Sequence, residues 1–449
     1  MRRWILISIL VGACGSKQAL EYDLEPIALA RAPVQPGGAK VGGLFAMVTT
    51  PAGIGPLLVD TAFPYNSLAQ TGCPSSSPPG WTYSGTMDVR DGQNPAALRA
   101  NFTNVGLFDI CPGASGDASV QPFGVMGGPL FLSFAVEFNL PRGEADPTNP
   151  ASMPSMTLWP AYPGSDDQLA ENGRVVMHYD LRGGFSIAQG SGEASLSLPN
   201  SRVALAACAG PRTFATTQPA EACLKGEAGI RASGEDLMLA IGTGEGPTIL
   251  SQSAWERLAS TLGLAASAGV AGDLYTPFSG TPTPALFVSL PKLALFQSIV
   301  DSSWLGPCAE LARARRIEWV LANQEGGSCF QPCDVNGSDP LTTHPYLELG
   351  GPLLTAVVPE TSDIILSLNA DVPAKPRIDG IVGAATLAGT RLRIDYQAKP
   401  QGRVIASCLA SETRDTCFAA PSCPGLPQGK DHACFGHPWH RVAPVCTQP

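Results

Sequence analysis

Two short loops hold the residues whose types and spacing could do chemistry. Leu57-Leu58-Val59-Asp60-Thr61-Ala62 is an apolar run ending in a carboxylate and a hydroxyl. Leu239-Ala240-Ile241-Gly242-Thr243-Gly244 repeats its form with glycine where the carboxylate stands. A carboxylate closing a strand can serve as acid or base toward a ligand, and an Asp-Thr pair there can equally cap local backbone N–H groups in a turn. Glycine can neither hold a proton nor polarise a carbonyl. Glu235, Asp236 and Glu245 flank the second loop but lie outside the position of Asp60 in the first.

Other constellations give less. Cys434, His437 and His440 around Trp439 have a metal-like spacing, but once the cysteines pair as disulfides only two histidines are left, so no metal is expected. Asp334, Asn336, Ser338 and Asp339 alternate oxygen ligands like the start of a calcium loop, yet the distal Glu is missing, which favours a plain turn. Ser251 and Ser253 have no nucleophile-elbow context, and no Gly-rich phosphate loop with Lys occurs. No cofactor is implied.

The elements that must position the two loops are strands. Leu44 to Thr49, Leu57 to Asp60, Ala135 to Leu140, Ser195 to Leu198, Val203 to Ala207 and Leu237 to Ile241 are short apolar or alternating runs bounded by turn residues. Helical spacing occurs in Gln252 to Leu264 and Cys308 to Ala322. The strongest signal is an internal repeat. Phe123-Gly124-Val125-Met126-Gly127 followed by Leu130, Phe131, Phe134, Val136 and Phe138 aligns without a gap on Asp379-Gly380-Ile381-Val382-Gly383 followed by Thr386, Leu387, Thr390, Leu392 and Ile394. Each half therefore carries a strand-loop element and later a Gly-apolar-apolar-Gly element.

That ordered duplication resembles the two lobes of pepsin- and retropepsin-type aspartic peptidases, over roughly Val41 to Cys408. The resemblance implies a mainly β fold of two homologous six-stranded-barrel-like lobes, with a few short helices in the second. It also implies an interlobe cleft for extended peptide and peptide hydrolysis by two carboxylates sharing a proton, since like charges about 3 Å apart cannot both ionise. Asp60 takes the first catalytic position, and Gly242 stands where the second Asp belongs. The dyad is thus incomplete, and the expectation is a pseudo-peptidase that binds an extended polypeptide segment. The alternatives are an active endopeptidase in which a second acid or a dimer partner assists Asp60, and a non-catalytic surface scaffold. By the same resemblance Thr61 and Thr243 bond across the lobes, Ala62 and Gly244 support the cleft, and Tyr83 is the flap candidate.

The N-terminus points to export. Arg2 and Arg3, the apolar run Trp4 to Val11, and Val11-Gly12-Ala13-Cys14 resemble a bacterial lipoprotein signal, implying lipidation of Cys14 and an envelope location, expected at the outer membrane facing periplasm or cell surface. Lipid is then the only membrane contact. Thirteen cysteines less Cys14 leave twelve, an even number that suits disulfides in an oxidising compartment, with Cys73–Cys111 and Cys208–Cys223 as pairing guesses. The expected organisation is a signal peptide 1–13, a tether 14–40, lobes 41–165 and 166–408, and a cysteine-rich tail 409–449. A net charge of −10, from 28 basic and 38 acidic side chains without a basic stripe, argues against nucleic acid as partner.

Overall fold

A computed structural model describes residues 5–10, 17–22, 25–31, 42–50, 53–69, 81–94, 96–110, 124–143, 146, 148–160, 164–171, 174–187, 196–210, 234–274, 282–298, 304, 306–311, 346–370, 376–398 and 401–409. The strands run in chain order as follows. The first are β1 (Ile5–Leu10), β2 (Lys17–Tyr22), β3 (Ile27–Ala28), β4 (Ala30–Arg31), β5 (Leu44–Thr50), β6 (Gly53–Asp60), β7 (Ser67–Ala69), β8 (Trp81–Arg90), β9 (Leu98–Ile110) and β10 (Gly124–Gly127). Next come β11 (Ala135–Leu140), β12 (Ser155–Trp159), β13 (Val175–Tyr179), β14 (Leu181–Arg182), β15 (Phe185–Ile187), β16 (Leu196–Leu198) and β17 (Arg202–Ala209). The last are β18 (Glu235–Ile241), β19 (Thr248–Ser251), β20 (Val270–Leu274), β21 (Thr283–Phe296), β22 (Tyr346–Val358), β23 (Gly380–Val382), β24 (Thr390–Asp395) and β25 (Gly402–Cys408).

The mainly β expectation is met, and the pairing pattern makes the two halves equivalent. In the first, β5 pairs antiparallel with β6, β6 parallel with β10, β10 antiparallel with β7, β7 parallel with β9, β9 antiparallel with β8, and β8 antiparallel with β5. In the second, the same senses recur in the same order through β17, β18, β23, β19, β22 and β21, returning to β17. The aligned strands β11 and β24 meet each other antiparallel, Val136 opposite Ile394 and Phe138 opposite Leu392. They form the middle of a six-stranded sheet, β13-β25-β24-β11-β12-β3, to which both halves contribute.

The symmetry extends to β3 and β13 at the edges of this sheet, which corrects the expected tether. Within 14–40, Ile27 and Leu29 are buried, β3 pairs with β12 and β4 with β5. Strands of two residues leave too little periodicity to read in a sequence. β4 and β14 are equivalent in pairing antiparallel with β5 and β17, and Arg31 and Arg182, both buried, donate to the carbonyls of Pro141 and Pro376 at 3.0 and 2.8 Å.

One large core joins the halves, with Phe102, Phe134, Phe138, Leu239 and Ile394 all buried in it. Each fully buried side chain of this size contributes roughly 1.5–3 kcal/mol. The longest helix, Gln252–Leu262, begins where Ser251 accepts the Ala254 N–H and ends at Gly263, left-handed at φ 67°. Trp255 and Leu258 face the core as expected. Shorter helices lie at Asp166–Glu171 and Asp363–Leu368 in the second lobe, as expected, and at Gly128–Phe131 in the first. Cys308 bonds Cys208, which corrects the guess of Cys223: the partner comes from 100 residues away, beyond what spacing can indicate. Cys73, Cys111 and Cys223 lie outside the described residues.

Candidate functional site

The two loops meet back to back where the halves join. Asp60 ends β6 opposite Gly127 of β10, and Gly242 follows β18, whose Ile241 lies opposite Val382 of β23. Because Leu57 pairs with Gly124 and Leu239 with Gly380, the register makes Asp60 and Gly242 equivalent. The loops grip each other reciprocally. Thr61 Oγ1 donates to the Ile241 carbonyl and Thr243 Oγ1 to the Val59 carbonyl, each at 2.7 Å, and the Thr61 N–H donates to Thr243 Oγ1 at 3.3 Å. A β-carbon on Gly43 would stand 2.0 Å from the Gly244 carbonyl oxygen, so only glycine allows that approach of the two backbones.

Asp60 is 3 % exposed. Its Oδ1 accepts the Ala62 N–H at 2.9 Å, so local capping does occur, and the carboxyl also accepts the Gly244 N–H from the other half. Burial pushes it up to about 6, against the pull of these two N–H groups and of the Arg202 guanidinium. Arg202, 1 % exposed, reaches from β17 to donate through Nε to the Ala62 carbonyl at 2.7 Å. Its counterpart in the first half is Gly43: Phe45 lies opposite Leu58 as Ala204 lies opposite Ala240, two residues further on in each strand. The site is therefore asymmetric, with Asp60 and Arg202 on one side and Gly242 and Gly43 on the other.

Glu245 is half-buried beside this loop, and its carboxyl is pushed up to about 8, first by desolvation and then by the charge of Asp60. Tyr396 is buried, its phenol raised by burial and by Asp60, and its hydroxyl has no hydrogen-bond partner among the described residues. The other two flanking acids do other work. Glu235 pairs with Arg257 at 2.6 Å, and Asp236 accepts the Cys308 N–H at 2.8 Å.

The position facing Asp60 is narrow. A β-carbon on Gly242 would lie 3.5 Å from Asp60 Oδ1 but 2.5 Å from Ile381 Cγ2, and one on Gly244 would lie 2.6 Å from Asp60 Cβ. Sequence reasoning thus located Asp60, Thr61, Ala62, Gly242, Thr243 and Gly244 and missed Arg202 and Tyr396. The one signal for Arg202 was a charge opening an otherwise apolar strand. Tyr83 lies in β8, where pairing with β9 skips a residue between Thr82 and Ser84. Its side chain, Cys14, and the Asp334 and His437 segments lie outside the described residues. Ser251 caps a helix, with its hydroxyl 3.3 Å from that of Ser253. Among the described residues no group of three His, Cys, Asp or Glu could hold a metal ion, and no helix is long and apolar enough to cross a membrane.

No family model matches the sequence, and no curated protein matches it. Solved structures similar to the chain include basic 7S globulin from soybean, at 11% identity and a TM-score of 0.36, covering 90% of this chain and 100% of that one. Another is an aspartic proteinase from Irpex lacteus, at 11% identity and a TM-score of 0.35, covering 87% of this chain and 99% of that one. The strand pairings described above do not depend on either likeness.

Proposed function

We propose that this protein is an exported lipoprotein of aspartic-peptidase-like fold that holds an extended polypeptide segment in the cleft between its halves. The symmetric two-aspartate chemistry of such a cleft is lost. The observation that carries this reading is the equivalence of Asp60 and Gly242 across an intact Thr61–Thr243 grip. The scaffold that presents two loops to one ligand is kept, while the carboxylate of one loop is gone and the Ile381 methyl crowds its place. An extended segment would be held as an added strand through its backbone N–H and C=O groups, with side-chain pockets adding selectivity. Lipidation at Cys14 would leave the cleft on the exported side of the membrane and accessible to protein segments there.

The test is capture of fluorescent ten-residue peptides of mixed sequence by the mature chain, followed by hydrogen exchange on the complex. The expected result is retention of a subset, with slowed exchange at both Asp60–Phe63 and Gly242–Glu245. No retention, or protection confined to surfaces away from both loops, would refute the reading.

A further inference from the structure

Among the described residues, one strand of the second half has no twin in the first. β21 pairs with β17 and β22 as its equivalent β8 pairs with β5 and β9. β21 alone also carries β20, which pairs with Thr283–Phe287 and stands at the edge of its sheet. The first half closes its circuit without such a strand, so building a lobe does not account for it. The free side of β20 is bare. Val270 to Asp273 are exposed, Val270 at 72 %, and Leu264 shortly before them is 48 % exposed. Of the eleven residues from Gly263 to Asp273 only Asp273 is charged, in a chain that is 15% charged. Natural edges are blunted by lysine, proline, a bulge or a covering element. β20 holds neither Lys nor Pro, its five pairs with β21 run without a register shift, and no described strand pairs with its other side. Such an edge is shaped to take another strand.

The residues of this edge fit their own copy. A two-fold axis makes two β20 strands antiparallel, and pairing all five residues centres the axis on Gly272. Val270 then lies opposite the partner subunit's Leu274, and Ala271 opposite the partner subunit's Asp273, so the acids do not face each other. Centring on Asp273 instead would set like charges directly opposite, which is destabilising. Gly272 also shapes the centre. A β-carbon there would lie 3.1 Å from Phe287 Cε2 and 3.3 Å from Phe287 Cδ2, so the half-buried ring of Phe287 reaches from β21 over the one edge residue that has no side chain. Neighbouring strands lie about 4.8 Å apart. Two such rings, each over its own Gly272, therefore come within the range of about 4.5–7 Å at which aromatic rings attract each other.

We propose that β20 is a self-association edge, on which a second copy of this chain adds its own β20 antiparallel about Gly272 and joins the two sheets. A contact of five residues a side is small, which places the dimer among weak, transient assemblies with dissociation in the micromolar range. Each copy has a net charge of −10, so added salt screens the repulsion between copies and tightens the dimer.

The experiment is sedimentation velocity of the mature chain from about 1 to about 300 µM, at low and high salt, in wild type, Ala271→Asp, and Ala271→Asp combined with Asp273→Lys. Both positions are exposed, so these changes leave the fold in place. Wild type should show a reversible monomer–dimer equilibrium that salt shifts toward dimer. Ala271→Asp sets two pairs of like charges across the axis and should weaken the dimer about five- to thirtyfold. The double change makes both pairs opposite in charge and should return the dissociation constant to within about threefold of wild type. Association through a lipid on Cys14 would not respond to these charges. A wild type that stays monomeric throughout would overturn the proposal. So would a dimer indifferent to Ala271→Asp, or one that the double change fails to restore. If the monomer instead shows slowed hydrogen exchange at Val270–Leu274 on adding extended peptides of mixed sequence, self-association is refuted and the edge takes a foreign strand.

Discussion

Removing the Thr61 and Thr243 hydroxyls separately and together probes the junction most finely, because the two are not equal despite their symmetry. Thr61→Val deletes one side-chain bond, the 2.7 Å donation to the Ile241 carbonyl. Thr243→Val deletes two, the 2.7 Å donation to the Val59 carbonyl and the acceptance of the Thr61 N–H at 3.3 Å. Both residues are fully buried, so each orphaned backbone group costs about 1–3 kcal/mol with no water to replace the partner. The expected losses are about 1–2 kcal/mol for Thr61→Val and about 2–4 kcal/mol for Thr243→Val. The double variant should depart from additivity by at least about 0.5 kcal/mol, because the two residues are directly bonded. Equilibrium unfolding in urea at constant m-value gives all three numbers. If Thr243→Val cost no more than Thr61→Val, or either cost less than about 0.5 kcal/mol, the reciprocal grip would not be what joins the halves.

Three further outcomes follow from the same geometry. The Glu245 carboxyl is raised on folding, so its contribution to stability is complete below its unfolded value near 4.5 and is lost as pH rises through about 8. Glu245→Gln should match wild type near pH 4.5 and be progressively more stable than wild type as pH rises toward 8, measured by denaturant titration at both pH values. Arg202→Met removes the cation facing Asp60 and frees the Ala62 carbonyl. It should cost about 3 kcal/mol at pH 8 and less at pH 5, where a protonated Asp60 no longer needs the charge. Replacing Cys208 and Cys308 by Ala opens a loop of 100 residues and should cost about 2–5 kcal/mol, with the same loss produced in wild type by reductant.

The duplication was legible in the sequence because its markers are positional. Gly124 and Gly380 open the strands that pair with Leu57 and Leu239, and a gapless alignment of four short motifs therefore predicts the strand register. The Asp60 loop was legible for the same reason, since its threonine recurs at Thr243. What could not be read depends on contacts between distant segments. The side chain of Arg202 acts 140 residues from its own position, at the Ala62 carbonyl. Cys208 finds Cys308 rather than a neighbour. The docking of Ile27 and Leu29 rests on two-residue strands among prolines and glycines, a composition that reads as linker. Glu245 was visible as an acid near the second loop, but the influence of the Asp60 charge on it comes from a loop 185 residues away in the other half.

The most direct test of the central claim is to restore the missing carboxylate. Gly242→Asp combined with Ile381→Ala, which clears the methyl 2.5 Å from the new β-carbon, should return the loop to the form of its twin at Asp60. Peptide hydrolysis at pH 3 to 4 is the measurement, because an aspartate pair sharing a proton works there and the wild-type site should not. Wild type should be silent in this range and the double variant should cleave, with the gain abolished by adding Asp60→Asn. A wild type that already cleaves at pH 3 to 4, or a folded double variant that gains nothing, would contradict it.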